Sequence, residues 1–574
     1  MAAMLVLGAL SLHAQTDSST STGGEVTTLK NTVADLQNTS AGLAGTINDT
    51  KKDLNDKIDS PAAIHYKGVT ITPGGFVAFE GVFRNRSINS DINTPFNATP
   101  FPSATEGHVS ELNFSGRQSR LSVLVEGNTG PVKLSGYYEM DWLGSGTTSN
   151  TNQSNSYVLR QRQIWGQAAT TSGFTISGGQ MWSLVTEMRK GTDPRSEIQP
   201  QSIDAAYLVG YSWERQPELR IQQRWGDYKT GAFTAAMSVE QAQITGFTAN
   251  GSNPSEYFFA GTGQSGGLLN AAGAVGAGNT ASTGGITTYA NNVAPDFIVK
   301  FAGDNPWIHA ELGGVARFLR NYYYPVTYVS GTNTTASYTS TATYTYAPNP
   351  VTHTSPAGGV FFGVRGYIGA AGTYPATEVA VTGMAGTGVG RYGDAQLADA
   401  TLKPDETLEP IRNYHGMLSI ENHLSPKFDV DLYYGGEYAQ RTVYNVIGSA
   451  STSTTTDLAA GLPISQIGYG SHYNNNTGCY NEPVFGGSAG TGGQINPVSC
   501  GGPTRYIQEG TIALQYRPIV SPKYGRLQYW LTYSYLQRNL WSGNNIPSSG
   551  PVTGPTGPRA ANSMIFVSMR YYIP

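Results

Sequence analysis

Four segments within residues 112 to 183 decide the fold: "LNFSGRQSRLSVLVEG", "PVKLSGYYEMDWLG", "SNSYVLRQRQIWGQAA" and "FTISGGQMWS". Apolar and polar side chains alternate along each segment, which is the period of a β-strand with two different faces. Polar loops or tight Gly/Pro/Asn turns separate the segments, as in strands joined by hairpins. The polar faces carry full charges, whereas the apolar faces carry aromatic residues near the strand ends. This pattern predicts an all-β transmembrane barrel with lipid outside and water inside.

The composition of the 574-residue chain fits such a barrel better than a set of soluble globular domains. Charged residues make up only 13%, and the chain contains 71 Gly and 35 Tyr. No stretch has the about 18 consecutive apolar residues that a membrane-spanning helix needs. The formal net charge of -4 and the absence of a basic run argue against a nucleic-acid partner.

Four short regions precede the barrel. Residues 1–14 resemble the apolar core and small-residue end of a secretory signal peptide; a positively charged start is missing, so the alternative is that this segment is not a signal. A Ser/Thr/Gly spacer covers residues 15–24. Residues 25–60 carry an a/d heptad pattern that predicts a periplasmic coiled coil, with an ordinary amphipathic helix as the alternative. Residues 61–73 form a linker. The heptad seam consists of Val26, Leu29, Val33, Leu36, Leu43, Ile47 and Leu54.

Connection lengths predict the number of strands, because short turns and long loops alternate in bacterial barrels. If residues 203–213 were a strand, the connection over residues 242–295 would have to be a short turn. That segment is therefore predicted to be loop, and a strand is placed at Ala376 instead. The barrel covers residues 74–574. Its strands, about sixteen and antiparallel, begin near Gly74, Leu112, Val132, Tyr157, Phe174, Leu219, Ala232, Phe297, Trp307, Gly359, Ala376, His415, Phe428, Arg505, Arg526 and Met564.

Charged side chains occupy the polar phase of these strands and are predicted to line the pore. An Arg that faces lipid at mid-bilayer costs roughly 2 to 4 kcal/mol, so these residues should face water or a subunit interface. Arginines on one wall opposite carboxylates on another would orient anions in transit; for any single residue the alternative is a hydrated charge of the barrel wall. The basic candidates are Arg120, Lys133, Arg160, Arg162, Arg220, Arg224 and Arg570. The acidic candidates are Glu139, Asp141, Glu311, Asp429, Asp431 and Glu437.

The third long connection, residues 182–216, is richer in charged and aromatic residues than the other long loops. A loop of this composition is a candidate to fold into the pore and narrow it. Its proposed constriction residues are Trp182, Glu187, Arg189, Asp204 and Arg215.

The two cysteines of the chain, Cys479 and Cys500, share one Gly/Asn/Ser-rich segment. In an oxidising compartment a disulfide between them would close a loop of about 20 residues. The alternative is a pair of free thiols.

Motifs for other chemistries are weak. Gly388, Gly390 and Gly393 match G-x-G-x-x-G, but no βαβ unit surrounds them. The sequence contains no H-E-x-x-H, paired C-x-x-C or G-x-S-x-G motif, and its histidines are scattered. We therefore expect no enzyme, no cofactor and no metal site, although a Ser/His/acid set could not be placed from sequence alone.

Several short motifs occur in a characteristic order: "PGGFVAFEGVF", "RQSRLSVLVEG", "YVLRQRQIWGQA" followed by "GGQMWSL", "RQPELRIQQRW" and "GVGRYGD". In that order they resemble the DcaP-like outer-membrane porins, over residues 60 to 440 and the heptad segment. The resemblance implies a homotrimer of porin barrels in the bacterial outer membrane, with a periplasmic coiled coil. It also implies passage of small organic anions, notably dicarboxylates.

The sequence thus predicts an outer-membrane porin for passive diffusion of small hydrophilic solutes, with a preference for organic anions. The expected partners are outer-membrane lipid and lipopolysaccharide, further copies of the chain and small anionic solutes. The alternative function is structural: an outer-membrane protein whose coiled coil tethers the membrane to the cell wall.

Overall fold

The computed structural model describes residues 30–35, 63–144, 158–245, 292–323, 325–329, 343–369, 374, 376–403, 405, 407–446, 465–472, 474–482, 500–543 and 557–574. Sixteen antiparallel strands form one closed barrel. The barrel strands are β1 (Val69–Arg84), β2 in two segments (Glu111–Ser115 and Arg120–Thr129), β3 (Val132–Gly144), β4 (Val158–Thr170), β5 (Phe174–Trp182), β6 (Arg215–Asp227), β7 (Gly231–Glu240), β8 (Asp296–Asp304), β9 (Ile308–Tyr323), β10 (Val351–Ile368), β11 (Ala376–Thr387), β12 (Arg412–Ser425), β13 (Phe428–Ala439), β14 (Thr504–Ser521), β15 (Gly525–Leu540) and β16 (Arg559–Tyr572).

The remaining elements are short. The short strands are Ile64–Tyr66, Val326–Val329, Thr343–Tyr346, Ala400–Leu402, Leu408–Pro410, Thr442–Val446 and Ser465–Tyr469. The 3-10 helices are Phe96–Ala98, Thr105–His108 and Gly390–Tyr392. No helix among the described residues is long and apolar enough to cross a membrane.

The sixteen-stranded antiparallel barrel predicted from connection lengths is confirmed. Neighbouring strands pair in chain order, and β16 pairs with β1 to close the barrel, from Phe76↔Tyr572 to Arg84↔Met564. The largest difference from the predicted starts is at β10, which begins at Val351 rather than Gly359. The first eight residues of β10 are mostly polar and do not show the alternation that marks a lipid-facing strand. They form a strand because they pair with the last eight residues of β9.

The alternation of side chains places apolar residues outside and polar residues inside. On β1, Val77 is 62% exposed and Phe79 is 53% exposed, whereas Glu80 and Arg84 are fully buried. The same alternation of exposed and buried side chains continues around the barrel. On β16, for example, exposed Val567 lies between buried Phe566 and buried Ser568. The outer surface is therefore an apolar belt, as the sequence pattern indicates.

Three connections fold back into the barrel and fill much of its interior. They are residues 85–110 between β1 and β2, 183–214 between β5 and β6, and 388–411 between β11 and β12. One hydrophobic cluster contains residues from all three, for example Ile92, Ile203 and Leu397, packed with Leu536 and Phe566 of the wall. The interior is thus a packed core together with charged groups, which differs from the largely water-filled lumen expected from sequence.

Two further sequence predictions concern the N-terminal heptad segment and the two cysteines. Of the heptad seam only Val33 is described; residues 30–35 are helical and Val33 is 48% exposed. The other seam residues, the signal segment and the spacer lie outside the described residues. A disulfide joins Cys479 and Cys500, with a Cα–Cα distance of 4.7 Å.

A buried ion pair lies at the seam where the barrel closes. Arg570 of β16 donates from Nη2 to Oε1 of Glu80 on β1 at 2.6 Å, and also to Oε1 of Gln118 at 3.2 Å. Both charged side chains are removed from solvent, so each depends on the other for neutralisation.

We expect Glu80→Leu to lower the free energy of unfolding by about 3 to 5 kcal/mol, because Arg570 then becomes an uncompensated buried charge. The double variant E80L/R570M should recover most of that loss. Urea unfolding of the barrel in lipid vesicles, followed by tryptophan fluorescence, measures both. Additive losses in the double variant would show that the pair does not act as a unit.

Candidate functional site in the barrel interior

The segment of residues 183–214 runs the height of the barrel. It leaves β5 at the loop end and reaches the opposite, short-turn end, where the Gly191 N–H donates to Oδ2 of Asp304 at 3.1 Å. There Arg189 forms an ion pair with Glu378 of β11 at 2.8 Å. The segment then returns, and Asp204 accepts from the Thr94 N–H at 3.0 Å. The structure thus places this segment inside the barrel, where the sequence predicted a constriction.

Carboxylates of the wall hold this segment by its backbone. Irregular backbone inside a barrel must find hydrogen-bond partners, because unpaired buried N–H groups are costly. The pairs come from strands on different sides of the barrel: Leu184 N–H to Glu240 (2.9 Å), Met188 N–H to Glu311 (3.3 Å), Gly191 N–H to Asp304 (3.1 Å), Val209 N–H to Glu509 (3.0 Å) and Gly210 N–H to Glu437 (3.0 Å).

Side-chain ion pairs complete the anchoring. Glu187 accepts from Arg365 of β10 at 3.0 Å, and Arg365 also lies 3.1 Å from Glu378. Three of the five predicted constriction residues, Glu187, Arg189 and Asp204, bind the barrel wall or another loop. The other two lie in the wall itself: Trp182 is the last residue of β5 and Arg215 is the first residue of β6.

A second inner segment, residues 388–411, was not predicted. The Ala395 N–H donates to Oε1 of Glu437 at 2.8 Å, so one carboxylate holds both inner segments. Asp394 accepts from the Leu208 N–H at 3.1 Å and from the Trp213 indole, and Asp399 pairs with Arg317 at 3.2 Å. One feature of the sequence could have indicated this position: residues 388–411 are rich in charged residues, as residues 182–216 are.

The arginines of β4 are neutralised by their neighbours on β3. Arg162 donates to Glu139 at 2.6 Å and to Asp141 at 3.0 Å. Arg160 pairs with Asp141 at 2.8 Å, and Arg120 lies 3.7 Å from Glu139. These predicted pore-lining residues therefore form one compact network on adjacent strands.

The other predicted pore-lining residues also have partners. Lys133 is half exposed near the short turn after β2. The contacts are Lys133–Glu126 (2.7 Å), Arg220–Glu218 (2.6 Å), Arg224 over the Tyr228 ring (5.0 Å), Arg570–Glu80 (2.6 Å), Glu311–Lys300 (2.7 Å), Asp429–Arg517 (2.6 Å), Asp431–Gln515 (2.7 Å) and Glu437 with the two backbone N–H groups described above.

Arg215 differs from this group. Its guanidinium carbon lies 5.2 Å from the ring centroid of Trp182 and 5.3 Å from that of Trp213. Among the described residues no carboxylate lies within 4.0 Å of it, and its buried Nη1 has no hydrogen-bond partner. Cation–π contact with two indoles positions this charge without neutralising it.

A cavity of about 720 Å³ lies at the short-turn end of the barrel. Its wall includes Arg189, Lys190, Lys229, Trp307 and Glu378. Lys190 and Lys229 are exposed, so this mouth carries cations that water can reach.

These features define a porin-type barrel: sixteen antiparallel strands, a closed wall, an apolar outer face and charged inner segments. No family model and no curated protein matches the chain. The chain is similar to the outer membrane channel DcaP of Acinetobacter baumannii, with a TM-score of 0.51 and 12% identity over 89% of this chain and 99% of that chain. This likeness shows that the two proteins share the fold.

Two other solved structures are more distantly similar. An anion-selective porin from Comamonas acidovorans has a TM-score of 0.40 and 10% identity over 88% of this chain and 100% of that chain. OprB of Pseudomonas putida has a TM-score of 0.40 and 8% identity over 91% of this chain and 96% of that chain.

Glu437→Leu tests whether the shared carboxylate holds the inner segments. The substitution leaves the N–H groups of Gly210 and Ala395 unpaired, at about 1 to 3 kcal/mol each. Hydrogen–deuterium exchange of those amides should accelerate roughly 5- to 150-fold. The strands of the wall should exchange as before. Glu437→Gln keeps one acceptor oxygen and should cause a smaller increase. Equal exchange in all three proteins would contradict the anchoring role.

Proposed function

We propose that the protein is a channel of the porin type in the bacterial outer membrane, through which small hydrophilic solutes diffuse passively. The observation that carries the proposal is the closed barrel with an apolar outer belt and a charged interior. In lipid, every backbone polar group must be satisfied internally, and a closed barrel meets that condition. Its short turns would face the periplasm and its long loops the outside.

The inner segments set the size of the solute in this proposal. Residues 85–110, 183–214 and 388–411 occupy the interior, so a solute would pass between their surfaces and the wall. A path of this kind admits small molecules and gives each charged group on it a strong effect, because a narrow pore lets few waters screen the charge.

The proposed preference is for small organic anions, dicarboxylates among them. Most inner arginines are neutralised by carboxylates, but Arg215 near the loop end is not. Lys190 and Lys229 are exposed at the other mouth. A path with unneutralised cations at both ends attracts anions from either side.

The proposed assembly is a homotrimer whose coiled coil, residues 25–60, lies in the periplasm, with outer-membrane lipid and lipopolysaccharide around the barrel. The heptad pattern and the resemblance to DcaP-like porins support this assembly. Attachment to the cell wall through the coiled coil is the alternative role.

Reconstitution in a planar bilayer tests the proposed function. We expect stepwise conductance, because each inserted barrel adds one pore, and a reversal potential under a KCl gradient that indicates preference for chloride. Absence of steps in a preparation of folded barrels would refute the channel. Steps with cation preference would refute the anion preference alone.

Arg215→Gln tests the unneutralised cation. We expect the anion-to-cation permeability ratio to fall about two- to fivefold, since a half-exposed charge contributes up to about 1 kcal/mol to its interaction with an ion. The measurement is the reversal potential of the variant channel. Lys427→Gln, which removes one exposed charge from the turn between β12 and β13, is the matched control and should leave the ratio unchanged. An unchanged ratio in the Arg215 variant would place Arg215 off the path.

A further inference from the structure

Two arginines share one indole at the loop end of the barrel. Arg441 follows β13, Arg505 is the second residue of β14 and Trp541 follows β15. The guanidinium carbons of Arg441 and Arg505 lie 4.6 Å and 4.8 Å from the ring centroid of Trp541. Three separate strand ends therefore bring two positive charges to the same aromatic ring.

The cluster is held in place by hydrogen bonds to neutral groups. The Trp541 indole N–H donates to the carbonyl of Ala439 at 3.0 Å. Arg441 Nη2 donates to the carbonyl of Ser542 at 2.6 Å and to its hydroxyl at 2.9 Å. The guanidinium of Arg441 is thus oriented by the chain before any ligand binds.

No carboxylate compensates these charges within 4.0 Å in the part of the chain that the structure describes. Burial and the neighbouring charge of Arg505 lower the pKa of Arg441. His472, whose ring contacts Arg441 Nη1, has its pKa lowered by burial and by the Arg441 charge. The inner arginines of β2, β4 and β10 are ion-paired, so two arginines on one indole without a carboxylate partner are a departure from that pattern.

The cluster lies at the loop-end rim of the barrel, next to a row of outward-facing aromatic side chains: Arg505 is exposed, whereas Arg441 and Trp541 are partly buried and Trp541 also packs against the inner hydrophobic cluster. Tyr414 and Tyr434 are exposed on the outer face of β12 and β13. Tyr438 contacts both Tyr414, at 6.0 Å between ring centroids, and Trp541, at 5.9 Å. Rows of aromatic residues mark the level of the lipid headgroups in outer-membrane barrels. Arg505 is exposed, lies where the pairing register shifts between Thr504 and Tyr506, and has its guanidinium carbon 5.7 Å from the ring centroid of Tyr506.

We propose that Arg441, Arg505 and Trp541 form a binding site for the phosphate group of an anionic lipid in the leaflet on the loop side. The site rests on the proposed function, which places the barrel in a membrane. A guanidinium presents paired N–H donors that match phosphate oxygens, and two guanidiniums on one indole supply the charge that a phosphate needs. A lipid fits better than free phosphate, because exposed Arg505 and the contact of Trp541 with Tyr438 connect the cluster to the aromatic row of the outer face.

The test compares the double variant R441Q/R505Q with the matched control K427Q/K523Q, which removes two exposed charges from turns at the other end of the barrel. The full-length protein in neutral detergent micelles is titrated with lipid A that carries two phosphates. Native mass spectrometry measures the apparent Kd. We expect the Kd to rise at least about tenfold in R441Q/R505Q and to stay unchanged in the control. The variant R441K/R505K, which keeps the charges without the paired donors, should lie in between.

Three results would overturn the site: no lipid bound by the wild-type protein, equal Kd in the wild type and the double variant, or displacement of the lipid by inorganic phosphate at a comparable concentration. Heat-modified mobility on gels confirms that each variant is a folded barrel. Bilayer conductance separates the two proposals. A channel with normal conductance that binds no lipid refutes only the lipid site, whereas a folded barrel without conductance refutes the porin function.

Discussion

The interior of this barrel depends on the capture of loop backbone by wall carboxylates. In a closed barrel, the backbone N–H and C=O groups of the strands pair with one another. A connection that enters the lumen brings in unpaired N–H groups, and burial removes the water that would otherwise hydrogen-bond to them. Glu240, Glu311, Asp304, Glu509 and Glu437 accept these N–H groups from several sides. A carboxylate is suited to this position because its two oxygens accept several hydrogen bonds, as Glu437 does from both inner segments.

The hydrogen bonds and ion pairs of the interior also determine which charged side chains have no partner of opposite charge within the protein. Carboxylates that pair with arginines are neutralised within the protein, as are most of the arginines they contact, whereas carboxylates that hold backbone, such as Glu437, have their acceptor oxygens engaged by N–H groups. Arg162 between Glu139 and Asp141 is the clearest case. In the proposed channel, charges without such partners, Arg215 among them, are the ones that a passing ion would meet. The proposed selectivity therefore depends on the few charges without partners, and not on the total number of charged residues inside.

The outer surface differs from the interior in where its charged residues lie. Apolar and aromatic side chains face outward around the wall, and cations on that surface lie at its edge, where an aromatic ring can contact them and water or a headgroup can solvate them. Trp541, whose ring both Arg441 and Arg505 contact, is an example. The inner and outer faces of the same strands thus carry their charged side chains in two different environments.

The sequence by itself determined the number, order and two-faced character of the strands. Side-chain alternation and connection length are local properties, and each strand is recognisable without its partners, as the sixteen predicted starts show. The composition of residues 182–216 was also enough to indicate that this connection differs from the others. Strand ends were less certain, because the prefix of β10 is a strand only through its pairing with β9. Only the tertiary structure decided which charges meet. Arg160 and Arg162 pair with Asp141 and Glu139 of the adjacent strand, Glu437 binds two loops that are far apart in sequence, and residues 388–411 enter the lumen. These contacts depend on register and on the closure of the barrel, and no local pattern encodes them.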